Sequence, residues 1–216
     1  MSRLASLFLL VSLCAPAAEK RLITAEDLYS FTWVADPQIS PDGSQVAFTQ
    51  VRVNARKDGY DTSLFLVSTA GGTPRLLTKG PQDSTPRWSP DGKRIAFLRA
   101  SAGTPPQPAQ IFILPMDGGE AAQLTSLAKG AAAPAWSPDG KLIAFTSTTL
   151  PDDPGKPDAA KKDDEKSDVR IINRAVYRFN GAGYTDFDRP AHIWTVPVPA
   201  PRGAPQKATQ LTTGRV

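Results

Sequence analysis

The chain has 216 residues, 25 basic and 21 acidic side chains, a formal net charge of +4, one cysteine and one histidine. So mild and scattered a charge excludes a dedicated nucleic-acid binder. One cysteine and one histidine exclude a disulfide scaffold and a zinc site.

Residues 1–17 read as a secretory signal peptide. Arg3 precedes the apolar run Leu4 to Leu13, and Ala15-Pro16-Ala17 places small residues around a cleavage point. The run is too short for a stable membrane span. Cys14 invites a lipid anchor, but bulky Leu13 stands where a lipidated cysteine needs a small neighbour. The mature chain is therefore expected to be exported, periplasmic or secreted, and free of cysteine. Residues 18–35 form a lead-in. Within it Thr24 caps a short N-terminal helix and Asp27 closes a capping-box-like pair.

From Asp36 onward the sequence repeats. Ser-Pro-Asp-Gly recurs at Ser40–Gly43, Ser89–Gly92 and Ser137–Gly140, spaced by 49 and then 48 residues. Asp36-Pro37, Thr85-Pro86 and Ala133-Pro134 precede the copies; Val46-Ala47-Phe48, Ile95-Ala96-Phe97 and Ile143-Ala144-Phe145 follow them. Proline presets the turn, aspartate accepts a local backbone hydrogen bond, and glycine takes the positive φ. Each turn therefore joins two strands of a hairpin. Leu64–Val67, Ile111–Leu114 and Ile193–Val196 read as a third strand, and the segments ending in Leu77-Thr78, Leu124-Thr125 and Leu211-Thr212 as a fourth. A four-stranded meander with this period predicts an all-β chain, a β-propeller of WD40-like or TolB-like blades. The blades are expected at about 36–80, 81–130 and 131–214 of a partial propeller spanning 36–216. Three blades do not close a ring, so the chain is expected to be the N-terminal part of a longer protein. Open blade faces then predict self-association.

The third blade carries an insert over residues 150–190. Pro151–Asp168 is charged and lacks aromatic and β-branched residues, so a disordered loop is expected there. Val169–Phe187 groups Tyr177, Phe179, Tyr184 and Phe187 around Asn180-Gly181, an expected hairpin. Arg170, Arg174 and Arg178 recur every four residues within it. Arg174, Tyr177 and Arg178 are the candidate substrate-binding residues. The same side chains also fit a purely structural hairpin.

No catalytic set appears. Gly-x-Ser-x-Gly, which holds a hydrolase nucleophile on its strained turn, is absent. His192 aligns with Ser63 and Gln110 at the start of a repeated strand, so its place is explained by the fold. Asp152-Asp153 and Asp163-Asp164-Glu165 are interleaved with lysines and form no calcium loop. No metal and no cofactor is expected.

The motif Trp-Ser-Pro-Asp-Gly-Lys-x-Ile-Ala-Phe, with a later Gly-Gly and Leu-Thr, resembles the repeat of TolB-like propellers and of the propellers of prolyl-oligopeptidase-type (S9) serine peptidases. The opening Ile23–Leu28 leading to Asp36–Gly43 is similar to acylaminoacyl-peptidase-like and dipeptidyl-peptidase-5-like members. So is the insert Arg174–Tyr184, followed by Arg189–Trp194. The resemblance implies a peptidase whose Ser-Asp-His triad lies in a downstream α/β-hydrolase domain. This chain would then gate and position peptide substrates, with that domain as its partner, and would be inactive alone. The alternative is a TolB-like propeller that binds another periplasmic protein and has no enzymatic activity.

Overall fold

A computed structural model describes residues 21–80, 82–101, 106–151, 178–179, 183–184, 186, 189–199 and 206–214. Residues 1–17, expected to be a signal peptide, and most of the insert, including Arg174 and Tyr177, lie outside the described residues.

Three four-stranded antiparallel sheets follow one another along the chain. The first comprises β1 (Thr32–Ile39), β2 (Gln45–Val53), β3 (Tyr60–Ser68) and β4 (Arg75–Leu76). The second comprises β5 (Asp83–Trp88), β6 (Arg94–Ser101), β7 (Gln107–Pro115) and β8 (Ala122–Gln123). The third begins with β9 (Ala132–Trp136) and β10 (Leu142–Ser147). It then skips the two-stranded hairpin β11 (Arg178–Phe179) and β12 (Gly183–Tyr184) and ends with β13 (His192–Pro197) and β14 (Thr209–Gln210). This is the expected meander, with the insert placed between β10 and β13. β1 starts at Thr32, ahead of the boundary expected at residue 36, because Trp33 and Ala35 already pair with Val51 and Thr49.

Each Ser-Pro-Asp-Gly turn closes in the same way. The Gly43 N–H donates to Ser40 O at 2.9 Å, and Gly43 takes φ 73°. The Ser40 hydroxyl donates to Asp42 Oδ1 at 2.6 Å and accepts the Gln45 N–H at 3.0 Å. Ser89 with Asp91 and Ser137 with Asp139 repeat the hydroxyl–carboxylate bond at 2.6 Å. The serine thus does two jobs, binding the aspartate and closing the hairpin. These hydrogen bonds, the serine's foremost, draw the Asp42 carboxyl down to about 2 and lower those of Asp91 and Asp139 as well.

The residue before each proline carries a feature the sequence does not announce. Asp36, Thr85 and Ala133 adopt φ of 48°, 58° and 50°. The register shifts there, between Ala35 and Gln38 and between Ser84 and Arg87, as it does in the third sheet between Ala144 and Thr146. A bulge therefore bends the first strand of every blade. A left-handed residue other than glycine costs about 1–2 kcal/mol, so the packing of three successive blades has to offset it.

That packing is face to face. Ala47, Leu64 and Leu66 of the first sheet meet Ile95, Phe97 and Leu114 of the second. Ala96 and Ile111 on its opposite face meet Ile143, Phe145, Trp194 and Val196 of the third. Alternation along each strand supplies both faces, as the period of two requires. Burying one such side chain contributes roughly 1.5–3 kcal/mol. Among the described residues no contact joins the first and third sheets, so the stack is open.

Thr24 starts a 3-10 helix, Ala25–Ser30. Its N–H and hydroxyl both donate to Asp27 Oδ2, at 2.7 and 2.9 Å. Arg21 pairs with the same carboxylate, and this ion pair, more than the Thr24 bonds, holds Asp27 far below the usual carboxylate range. Lys57, in the β2–β3 turn, reaches Glu26 at 3.2 Å and lies 4.3 Å from the Tyr29 ring centre, fixing the helix beside the first blade.

Candidate functional site

The Ser-Pro-Asp-Gly turns occupy one end of the blades. The insert leaves from the other, after Ser147, so that end holds the candidate site. A tier of cross-strand pairs crosses it: Gln50 opposite Ser63, Arg99 opposite Gln110, and Ser147 opposite His192. His192 therefore stands in register with Ser63 and Gln110, as the sequence alignment of the repeats requires.

The hydrogen bonding of the tier also repeats. Thr78, Thr125 and Thr212 each accept a strand N–H through the side-chain oxygen, from Leu64 at 3.2 Å, Ile111 at 2.9 Å and Ile193 at 2.9 Å. In the second blade the Thr125 hydroxyl donates to Gln110 Oε1 at 2.9 Å. In the third, Thr212 Oγ1 lies 3.4 Å from His192 Nδ1. A hydroxyl beside an imidazole has the look of a nucleophile and its base. Here the hydroxyl is committed to the Ile193 N–H, and glutamine fills the same place one blade earlier. The pair caps a strand.

One tier member departs from the pattern. Arg99 Nε and Nη2 donate to Asp83 Oδ1 and Oδ2 at 2.7 and 2.8 Å. The Asp83 side chain is 0% exposed, and that of Arg99 is 30% exposed. The two hydrogen bonds outweigh burial and raise the guanidinium pKa further. The guanidinium also lies 5.1 and 5.0 Å from the Phe97 and Phe112 ring centres. The backbone at Gly80 runs against the Asp83 carboxylate so closely that any side chain there would collide with it. Sequence reading missed this pair, because Val34 with Gln50 and Ala131 with Ser147 occupy its position in the other blades.

Of the three candidate substrate-binding residues, only Arg178 falls within the described residues. It is exposed, on β11, and pairs with Tyr184 on β12. The chain returns through Asp186 and Arg189, 4.0 Å apart, to His192. A concave feature lies at the turn end, between the second and third blades. It is a groove of about 520 Å³ with Ile113, Leu124 and Val198 among its apolar walls and Lys93, Asp117 and Glu120 among its charged ones. On the first strands, Arg87 Nη1 meets Asp36 Oδ2 at 2.7 Å, and Gln38 holds Asp36 Oδ1 at 2.7 Å. Among the described residues no group of three or more His, Cys, Asp or Glu is placed to hold a metal ion.

The sequence profile of the TolB beta propeller domain matches residues 24–177. The uncharacterized peptidase YuxL of Bacillus subtilis is 40% identical over 114 residues, 52% of this chain and 17% of that protein. Dipeptidyl-peptidase 5 of Porphyromonas endodontalis is 31% identical over 114 residues, 52% of this chain and 16% of that protein. The matches thus span about a sixth of these relatives. The acylaminoacyl peptidase of Pyrococcus horikoshii superposes with a TM-score of 0.56 at 18% identity, over 85% of this chain and 26% of that structure. That likeness is one of fold.

Proposed function

Since the chain belongs to the TolB β-propeller family, we propose that it is the substrate-gating and positioning propeller portion of an exported serine exopeptidase acting on peptides. The observation that carries this reading is the similarity to two peptidases across the same length of repeat, 40% and 31% over 114 residues. The chain supplies approach and selection; chemistry belongs to an α/β-hydrolase domain. Gly-x-Ser-x-Gly is missing from the sequence, and the hydroxyl–imidazole pair at Thr212 and His192 is structural. In this reading Arg174, Tyr177 and Arg178 face the peptide or the hydrolase domain, and residues 1–17 direct export. A basic, aromatic hairpin suits a peptide: arginine pairs with carboxylates and carbonyls, and tyrosine packs against the chain.

Reading the gene beyond Val216 tests the proposal. It expects a strand–turn–helix element with Gly-x-Ser-x-Gly. Further blades followed by a stop would replace it with the TolB-like reading, a periplasmic protein-binding propeller without activity.

A further inference from the structure

Three residues that the repeat does not require converge on the junction between the first two sheets. Trp33 stands opposite Val51 and Tyr60 opposite Val53, so alternation puts both on the face of the first sheet that carries Ala47 and turns toward the second. Arg99 lies two residues along β6 from Phe97, on the face of the second sheet that turns toward the first. The Gln82 side chain donates to Tyr60 O at 3.3 Å, and its backbone oxygen accepts the Ala100 N–H at 3.2 Å, tying the two walls together at the insert end. In the other blades Gln82 and Gly130 hold the place of Trp33, Gln107 that of Tyr60, and Gln50 and Ser147 that of Arg99.

Phe31 meets the Trp33 ring edge-on at 6.5 Å, and Trp33 meets Tyr60 edge-on at 5.7 Å. The three are 39%, 41% and 56% exposed, a joined aromatic patch rather than scattered apolar residues. Across the cleft, Asp83 occupies Nε and Nη2 of Arg99, and Nη1 has no hydrogen-bond partner among the described residues. Asp83 also balances the guanidinium's charge. What remains is a fixed N–H donor without net charge, which suits a neutral carbonyl better than a carboxylate. We propose that this end of the cleft binds an extended peptide: Trp33 and Tyr60 pack against an apolar side chain, and Arg99 Nη1 donates to a backbone carbonyl. The choice of a peptide rests on the peptide-positioning reading; the place of the site rests on these contacts.

The test titrates the isotope-labelled chain with N-acetyl-Ala-Phe-Ala-amide, an uncharged peptide with one aromatic side chain, and follows the Trp33 indole and Arg99 Nε resonances. Both signals are expected to shift. Arg99→Lys keeps a charge facing Asp83 but lacks the planar fork, and should weaken binding about fivefold, the value of one neutral hydrogen bond. Trp33→Ala, at an exposed site outside the core, should fold normally and weaken binding about tenfold. Acetate should not compete with the peptide. Three outcomes overturn the site: no shift at either signal, unchanged affinity in either variant, or displacement of the peptide by acetate. Peptide turnover by the longer protein with an unmoved Trp33 signal would remove the site and keep the peptidase reading. Binding here without turnover there would do the reverse.

Discussion

The buried pair Asp83–Arg99 predicts an asymmetry between two single substitutions. Arg99→Ala leaves the Asp83 carboxylate, 0% exposed, without either of its guanidinium bonds. Breaking a buried pair in this way costs roughly 3–5 kcal/mol. The same change removes the guanidinium from the Phe97 and Phe112 rings, worth about 0.5–1 kcal/mol at a partly exposed site. Asp83→Ala strands the arginine instead, and Arg99, 30% exposed, can turn toward water. Solvent screening of the freed guanidinium then makes this loss the smaller of the two. The double change Asp83→Leu with Arg99→Met replaces charge by apolar volume and should recover most of the loss. Against a typical domain stability of about 5–15 kcal/mol, the first substitution is severe. Equilibrium urea unfolding of the three variants measures all of this. Equal losses for the single variants, a larger loss for Asp83→Ala, or a double variant as unstable as the sum would each refute the reasoning.

The three inter-sheet tryptophans should separate in the same assay. Trp88→Phe and Trp136→Phe each lose an indole N–H bond to a carbonyl of the preceding blade, Gln38 O and Arg87 O at 3.0 Å, worth about 1 kcal/mol. Trp194→Phe loses no hydrogen bond, because its buried indole N–H has no partner among the described residues; its cost should instead come from the cavity left in the core. The turn aspartates predict a pH dependence of defined sign. Their folded pKa values lie below the unfolded value near 3.9. They therefore stabilise above about pH 4, and that contribution is lost as pH falls toward 2. Replacing Ser40, Ser89 and Ser137 by alanine should flatten acid unfolding in that window; an unchanged acid limb would show that the serines do not hold the carboxylates. Gly130→Ala should destabilise well beyond Gly43→Ala. Both take φ 73°, but a Cβ at Gly130 meets Ala109 O at 2.5 Å, whereas nothing lies within 4 Å at Gly43. Under the peptidase reading, Arg174→Ala and Arg178→Ala in the longer protein which that reading proposes should change kcat/KM for peptide substrates, and unchanged kinetics would remove their proposed role.

The blades were legible because their turn is a chemical unit that repeats intact. Ser-Pro-Asp-Gly states its own φ values and hydrogen bonds, and the flanking Ile-Ala-Phe runs state which strands are buried on both faces. Alignment of the repeats also placed His192 correctly, since a residue in register with Ser63 and Gln110 must share their position. Features that do not repeat were hidden. Asp83 and Arg99 are 16 positions apart, and no other blade carries such a pair to show that they meet. The left-handed residues were hidden for another reason. Asp36, Thr85 and Ala133 differ in kind, none is glycine, and proline after them favours extended backbone. Only the packing of neighbouring blades makes the bulge worth its cost. The inter-blade indole bonds were equally silent, because their acceptors are backbone carbonyls, which any sequence supplies.

Peptide hydrolysis tests the central claim most directly. The purified 216-residue chain and the full product of its gene, which the account proposes is longer, should be assayed side by side on aminoacyl and acyl-peptide chromogenic substrates. The account predicts no turnover by the chain and a rate in the longer protein that a serine-directed fluorophosphonate abolishes. Serine-dependent turnover by the chain alone, or none by the longer protein, would contradict it.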